Sequence, residues 1–269
     1  MRDQQHIGFH HRLSEQPHLY GDQVHILADP YLLSLLARLC HPETFQPQIN
    51  RLLEVIYRHM TGLVVAHELP RIEVASPTRM VSYHPEGVYE GEILDPSVKA
   101  VVVDIARAGM FPSQIVYDHL NLVLNPQNVR QDHVFMNRRV NEAGQVIGVD
   151  VSGSKLGGPV DDALLFIPDP MGATGGSVQH AIELYTQHGN ARRIVAMHLI
   201  VTPEYLKAMT TRCPEVVIYA ARLDRGLSAP ELLQTLPGTT WDQEKGLNER
   251  HYIVPGGGGF GELINNAFV

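Results

Sequence analysis

Between residues 163 and 188 the chain runs from a buried strand, Ala163-Leu-Leu-Phe-Ile167, through Asp169 and a turn of glycine, threonine and serine, into a helix opening near Gly176. No other segment limits the fold as much, because a strand that turns on glycines into a helix is the corner at which open parallel sheets bind ligands. The opening helix offers unpaired N–H groups and a partial positive charge to an anion. Gly172, Gly175 and Gly176 let backbone approach a phosphate closely, and Thr174 and Ser177 add hydroxyl donors. Asp169 repels a bare phosphate, so it points to a ligand that also carries hydroxyls or a divalent cation. Glycines alone would suit a tight turn without a ligand; an acid, a Thr, two adjacent glycines and a Ser in one loop argue against that plainer reading. The segment has neither the Gly-Lys-Ser/Thr of a phosphate-loop kinase nor the glycine spacing of a dinucleotide fold.

The rest of the chain fits the same frame. Ala100-Val-Val-Val-Asp-Ile105 is almost continuously apolar and β-branched, the pattern of a strand buried on both faces of a parallel sheet. Val134-Phe-Met136, Ile194–Val201 and Val216–Ala220 read as further strands, with helices over 111–123, 176–188 and from Pro203 to 210. Pro30–Leu39 and residues 44–67 read as N-terminal helices, the second with Phe45, Ile49, Leu52, Leu53, Ile56, Met60 and Leu63 at three- and four-residue spacing. Residues 71–92 alternate and carry Pro and Gly, which predicts short antiparallel strands or a flap. Residues 1–24 read as a loosely ordered arm. The fold class expected is α/β, a parallel sheet flanked by helices, with an N-terminal helical segment and a small β flap or hood.

A net charge of −8 argues against a general nucleic-acid binder, which needs a basic face. No apolar run approaches the length that spans a bilayer, and the N-terminus carries no apolar signal segment. The two cysteines, Cys40 and Cys213, show no metal spacing, which reads as a reduced, cytoplasmic protein. His is frequent, at 15, and His10-His11 invites metal binding, although a solvated tail is the plainer reading.

Asp169-Pro-Met-Gly-Ala-Thr-Gly-Gly-Ser177 resembles the phosphoribosyl pyrophosphate (PRPP) loop of uracil phosphoribosyltransferases. Ala106-Arg-Ala-Gly109, Thr202-Pro-Glu-Tyr205, Gly246-Leu-Asn-Glu249 and Tyr252-Ile-Val-Pro-Gly256 resemble further segments of that family, in order along roughly residues 25–265. The resemblance implies a single type I phosphoribosyltransferase-like domain over 25–269, with a base-binding hood near 246–264. It implies conversion of uracil and PRPP to uridine monophosphate (UMP) and diphosphate, in pyrimidine salvage. Arg107 and Asp169 would be the catalytic pair. PRPP would be held by Arg107, by Arg138 or its neighbour Arg139, and by Asp169, Pro170, Met171, Gly172, Ala173, Thr174, Gly175, Gly176 and Ser177. Ile253, Gly258, Gly259 and Phe260 stand at the uracil-contact positions. The metal is Mg2+ carried by PRPP rather than a resident ion, and a homodimer or higher homo-oligomer is implied.

Three departures stand against the family pattern. Gly259 replaces an Asp that contacts PRPP, and Glu262 matches a later acid of the family. An extra segment near 226–245, holding Trp241, reads as a surface excursion, a lid or a subunit contact. Val151–Gly158, with Lys155, lies where the family has a flexible hairpin. These leave open a catalytically weak relative that senses PRPP or a nucleotide, and an enzyme for another base.

Overall fold

The computed structural model describes residues 3–140 and 146–267, with backbone alone at 137–140 and 146–151. One sheet carries the fold. Its strands are β1 (Val24–Ile26), β4 (Ala100–Ala106), β5 (Val129–Val140), β6 (Val146–Lys155), β7 (Leu164–Pro168), the short β8 (Met171–Gly172), β9 (Arg193–Val201) and β10 (Val216–Leu223). Their order is β1-β10-β9-β7-β4-β5-β6, with β8 beside β9; all pairings are parallel except β5–β6 at one edge. β2 (Arg71–Pro77) and β3 (Val88–Leu94) form a separate antiparallel hairpin, as the alternation over 71–92 predicts.

β4 and β7 are buried almost throughout because each inserts β-branched or large apolar side chains into both faces. On one face Ala100, Val102, Phe166 and Met197 pack under α1 (Pro30–Leu39), α2 (Gln48–Glu68) and α3 (Met110–Leu120). On the other, Val101, Val103, Leu165 and Ala196 pack under α4 (Gly176–Thr186) and α5 (Pro203–Arg212). Asp29 caps α1 by accepting from the N–H groups of Tyr31 and Leu32, and Pro30 takes the first helical position, where its missing N–H costs nothing. Two short helices follow, α6 (Pro230–Leu233) and α7 (Phe260–Leu263).

The sheet is thus the α/β architecture that the sequence predicts. β5 extends well beyond Val134–Met136, and β1 is a strand that the sequence reading does not contain. The N-terminal residues lie along the hairpin and the sheet edge: Gly8 N–H donates to Glu92, Arg71 donates to the Phe9 carbonyl, and Gln16 N–H donates to the Ile26 carbonyl.

β9 carries a buried polar link. His198 is fully enclosed, with Nδ1 2.5 Å from the Asp169 carbonyl oxygen and Nε2 2.5 Å from the Tyr205 hydroxyl. Burial lowers its pKa to about 4, so the ring is neutral in the folded protein. The unfolded chain takes up a proton at an ordinary pKa near 6.5. Stability from this group is therefore complete above pH 6.5 and is lost as the pH falls towards 4. Unfolding measured over that window should lose about 3 kcal/mol from this one residue, and His198→Leu should flatten the slope by that amount. An unchanged slope in the variant would show that other groups govern the acid limb.

Candidate active site

β7 ends at Pro168, and the chain then turns over the carboxyl edge of the sheet. From behind, the turn is fixed by backbone and side-chain bonds. Asp169 N–H donates to the Met197 carbonyl, and the Pro170 carbonyl accepts from the N–H groups of Leu199 and Ile200. Thr202 caps α5 by accepting from Tyr205 N–H and also donates to the Ala173 carbonyl. At its far end Gly175 adopts φ +85°, a conformation costly for side chains with a Cβ, and serves as the N-cap of α4 without any side-chain cap. The first N–H groups of α4 are therefore left for a ligand.

These groups line a cleft of about 600 Å³. Thr174, Gly175, Gly176 and Ser177 form one wall, with Asp169, Met171 and Ala173 at its base. Arg107 and Ala108 line a second part of the cleft, at the end of β4, where the Ala106–Arg107 peptide is cis. The Arg107 guanidinium also donates to the Ala267 carbonyl at 3.3 Å. Burial, and after it the charge of Asp169, pushes the Tyr57 and Tyr205 phenols well above their ordinary range, so both hydroxyls are neutral.

The third wall comes from 251–262. Ile253, Gly258, Gly259 and Phe260 all face the cleft, as do His251, Tyr252 and Glu262. An ion pair inside the fold holds this loop in place. Arg222 Nε and Nη2 donate to both oxygens of Asp224 at 2.6 and 2.7 Å. Asp224 then accepts from Gly256 N–H at 2.7 Å, while Arg222 donates to the Gly256 carbonyl at 2.9 Å. Glu204, in the first turn of α5, accepts from the N–H groups of Gly246 and Leu247, so the same helix supports both the loop over 169–175 and the hood.

Ten of the residues predicted from the sequence to hold ligand converge here beyond Arg107 and Asp169: Met171, Ala173, Thr174, Gly175, Gly176, Ser177, Ile253, Gly258, Gly259 and Phe260. Pro170 and Gly172 do not face the cleft. Pro170 bonds back to β9, and a Cβ on Gly172 would stand 2.9 Å from Val201. Arg138 and Arg139 lie on β5, paired with Val149 and Gly148 of β6, and their side chains fall outside the described residues. Lys155 ends β6, exposed and away from the cleft. Segment 226–245 does not cover the cleft. It packs on the outer side of α5, where Trp241 Nε1 donates to the Pro203 carbonyl and its ring meets Tyr20 edge-on at 4.9 Å.

His198, the Arg222–Asp224 pair and Glu204 are absent from the sequence reading of the site. Each acts through backbone far away in the chain; the Thr202-Pro-Glu-Tyr205 segment that holds Glu204 and the Leu223-Asp224 dipeptide before the extra segment were the available signals. At position 259 a Cβ would stand 2.8 Å from Glu262 Oε2. The Glu262 carboxylate thus sits in the space that a side chain at 259 would enter.

A family model described as uracil phosphoribosyltransferase matches residues 26–242. A curated uracil phosphoribosyltransferase from Caldanaerobacter subterraneus subsp. tengcongensis is 37% identical over 110 residues, which is 41% of this chain and 42% of that relative. That match therefore spans less than half of the relative's length. Among solved structures, the AQ2163 protein from Aquifex aeolicus aligns with a TM-score of 0.69 at 20% identity, over 91% of this chain and 99% of the other.

Removing the acid of the clamp tests the account of the third wall. Asp224→Ala leaves a largely buried guanidinium unpaired and Gly256 N–H without its acceptor, which should cost about 3 kcal/mol. Asp224→Asn, which keeps an acceptor but not the charge, should cost less. Denaturant unfolding gives the energies, and amide exchange at Gly256 should quicken in both variants. Slow exchange in Asp224→Ala would mean that the hood is held by other contacts.

Proposed function

The chain belongs to the uracil phosphoribosyltransferase family, and on that premise we propose that it transfers the phosphoribosyl group of PRPP to uracil, forming UMP and diphosphate. The observation that carries this reading is that the uncapped N-terminus of α4, Arg107, the Asp169 carboxylate and the glycines Gly258 and Gly259 line one cleft. The three walls suit the three parts of such a ligand. The α4 N–H groups, Thr174 and Ser177 suit the 5′-phosphate, because backbone donors at a helix N-terminus bind dianions well. Asp169 suits the ribose hydroxyls, as a carboxylate acceptor. Arg107 suits the leaving diphosphate, where a guanidinium binds two oxygens at once.

Uracil fits the 251–262 wall. A rigid loop presents alternating N–H and C=O groups that match the donors and acceptors of a pyrimidine edge. Phe260 and Ile253 are buried and supply apolar contact for the ring. The anomeric bond breaks with positive charge developing on the ribose, so the chain acts by holding base and sugar in line and by stabilising the departing oxygens. Oxygen donors such as Asp169 and Glu262 suit Mg2+ carried with PRPP, which supplies charge neutralisation on the diphosphate. Glu262 provides the carboxylate that position 259 lacks. No nucleic acid or membrane partner is needed for this chemistry, and no helix among the described residues is long and apolar enough to cross a membrane. We further propose that the exposed β2–β3 hairpin, with Ile72, Val88 and Ile93 solvent-facing, serves the homo-oligomer implied by the family.

Two measurements test the reading. Calorimetric titration with PRPP and magnesium should show weaker binding to Asp169→Asn and to Thr174→Ala, each by about 1.5–3 kcal/mol, the worth of a hydrogen bond to a charged group. Unchanged affinity in both variants would overturn the assignment of the loop.

Product formation from radiolabelled bases should favour uracil over cytosine by a large factor. The two differ at ring position 4, where a carbonyl gives way to an amine and a backbone donor then faces a donor. In the same assay Glu262→Gln should slow turnover about tenfold or more, and Gly259→Asp alone should restore little, because its side chain meets Glu262. Equal use of both bases would remove the 251–262 wall as the reader of the base. Full activity in Glu262→Gln would show that position 259 needs no substitute.

A further inference from the structure

We propose that His25, His67 and Glu68 form a binding site for a divalent transition metal of the zinc type, remote from the cleft and independent of the reaction proposed above. One ring nitrogen from each histidine and one oxygen of Glu68 lie within 4.8 Å of one another, the group of His, Cys, Asp or Glu donors that converges this closely among the described residues. Three elements bring them together. His25 is the central residue of β1 and pairs in register with Tyr219 of β10, while His67 and Glu68 end α2. The His25 and His67 rings meet edge-on with centroids 5.2 Å apart, and His25 stacks on the Tyr219 ring at 4.6 Å.

The surroundings are those of a ligand set rather than of two unrelated histidines. His25 Nδ1 lies 2.7 Å from the Glu15 carboxylate, and His67 Nδ1 lies 2.6 Å from the Tyr219 hydroxyl. Oxygen partners of this kind orient metal-binding imidazoles and set their tautomers. The Tyr219 hydroxyl donates in turn to Glu68 Oε1 at 2.5 Å, and Arg193 holds Glu68 Oε2 at 2.8 Å, so the carboxylate is held in one place. The Glu68 side chain is 5% exposed and that of His67 34%, which leaves an entry path on one side only.

His11 Nε2 is buried without a hydrogen-bond partner and acts on His67 electrostatically, outside the converging group. Two imidazoles with one carboxylate, completed by water, suit Zn2+ or Co2+ and do not suit Mg2+, which prefers oxygen. Bound metal would tie the N-terminal residues and β1 to α2 and β10, the edge where β1 contributes only three residues of pairing.

The test is titration of chelator-stripped full-length protein with Co2+, followed by Zn2+. One Co2+ per chain should give the visible bands of four-coordinate cobalt, Zn2+ should displace it, and the melting temperature should rise with metal. His25→Gln and His67→Gln, which keep polar side chains, should each weaken binding at least tenfold, while His10→Gln should not. In the parent protein the ring resonances of His25 and His67 should shift together at one equivalent of Zn2+, a reading that holds even where a variant fails to fold. Absence of binding, binding in both Gln variants as tight as in the parent protein, or unshifted rings at saturation would overturn the proposal. So would loss of binding on His10→Gln alone, which would move the metal to the tail.

Discussion

The arrangement depends on one physical constraint: the first turn of α4 must keep its N–H groups unpaired while the loop leading into it stays rigid. An uncapped helix start is costly unless something else meets those groups. Gly175 makes the start possible by accepting a left-handed conformation at the cap position. Rigidity comes from behind, where β9 and the start of α5 bind the loop's backbone. The Asp169 carbonyl faces His198, the Pro170 carbonyl faces β9, and the Ala173 carbonyl faces Thr202. What remains unmet points into the cleft, so the loop is stable in the conformation that an anion would select.

The same logic governs the opposite wall. A run of glycines at 256–259 has little conformational preference of its own. Its shape is imposed by the Arg222–Asp224 pair, which grips both the N–H and the carbonyl of Gly256, and by Glu204, which grips the entry at Gly246 and Leu247. Charged side chains behind the loop are therefore spent on holding backbone. Towards the cleft, beside His251 and Glu262, the loop presents backbone polar groups and the apolar Ile253 and Phe260, a surface suited to a small planar ring.

The parts of the fold that were legible in the sequence are those whose signal is local. The β-branched run of β4, the three- and four-residue spacing of α2, Pro203 at the start of α5, and the strand–glycine–helix passage into α4 each follow from neighbours in the chain. β1 was illegible because three residues, Val24-His-Ile26, carry no periodicity; β10 beside them makes them a strand. The supports of the site were illegible for a related reason. Asp224 meets Gly256 across 32 residues, and His198 meets Asp169 across 29. Side chains that act on distant backbone leave no pattern within a window of sequence. Family resemblance found the cleft residues because motifs record contact with ligand, and it passed over the residues that aim them.

The extra segment shows how an insertion can be accommodated without disturbing such a site. Glu244 lies at its end, fully buried, and bonds to the Tyr20 hydroxyl, to Arg225 at 2.9 Å and to Gly238 N–H at 2.9 Å. Arg225 in turn donates to the carbonyls of Leu232 and Thr235. A buried carboxylate with one cation and two further donors is compensated within the segment and its immediate neighbours, so the insertion asks little of the sheet. Trp241 adds apolar contact against Tyr20 and a bond to Pro203, the residue that starts α5. The insertion is thereby fastened to the helix whose Thr202 cap and Glu204 carboxylate hold both glycine walls. Any force on segment 226–245 reaches α5 first, and α5 is the element through which the two walls of the cleft share one support.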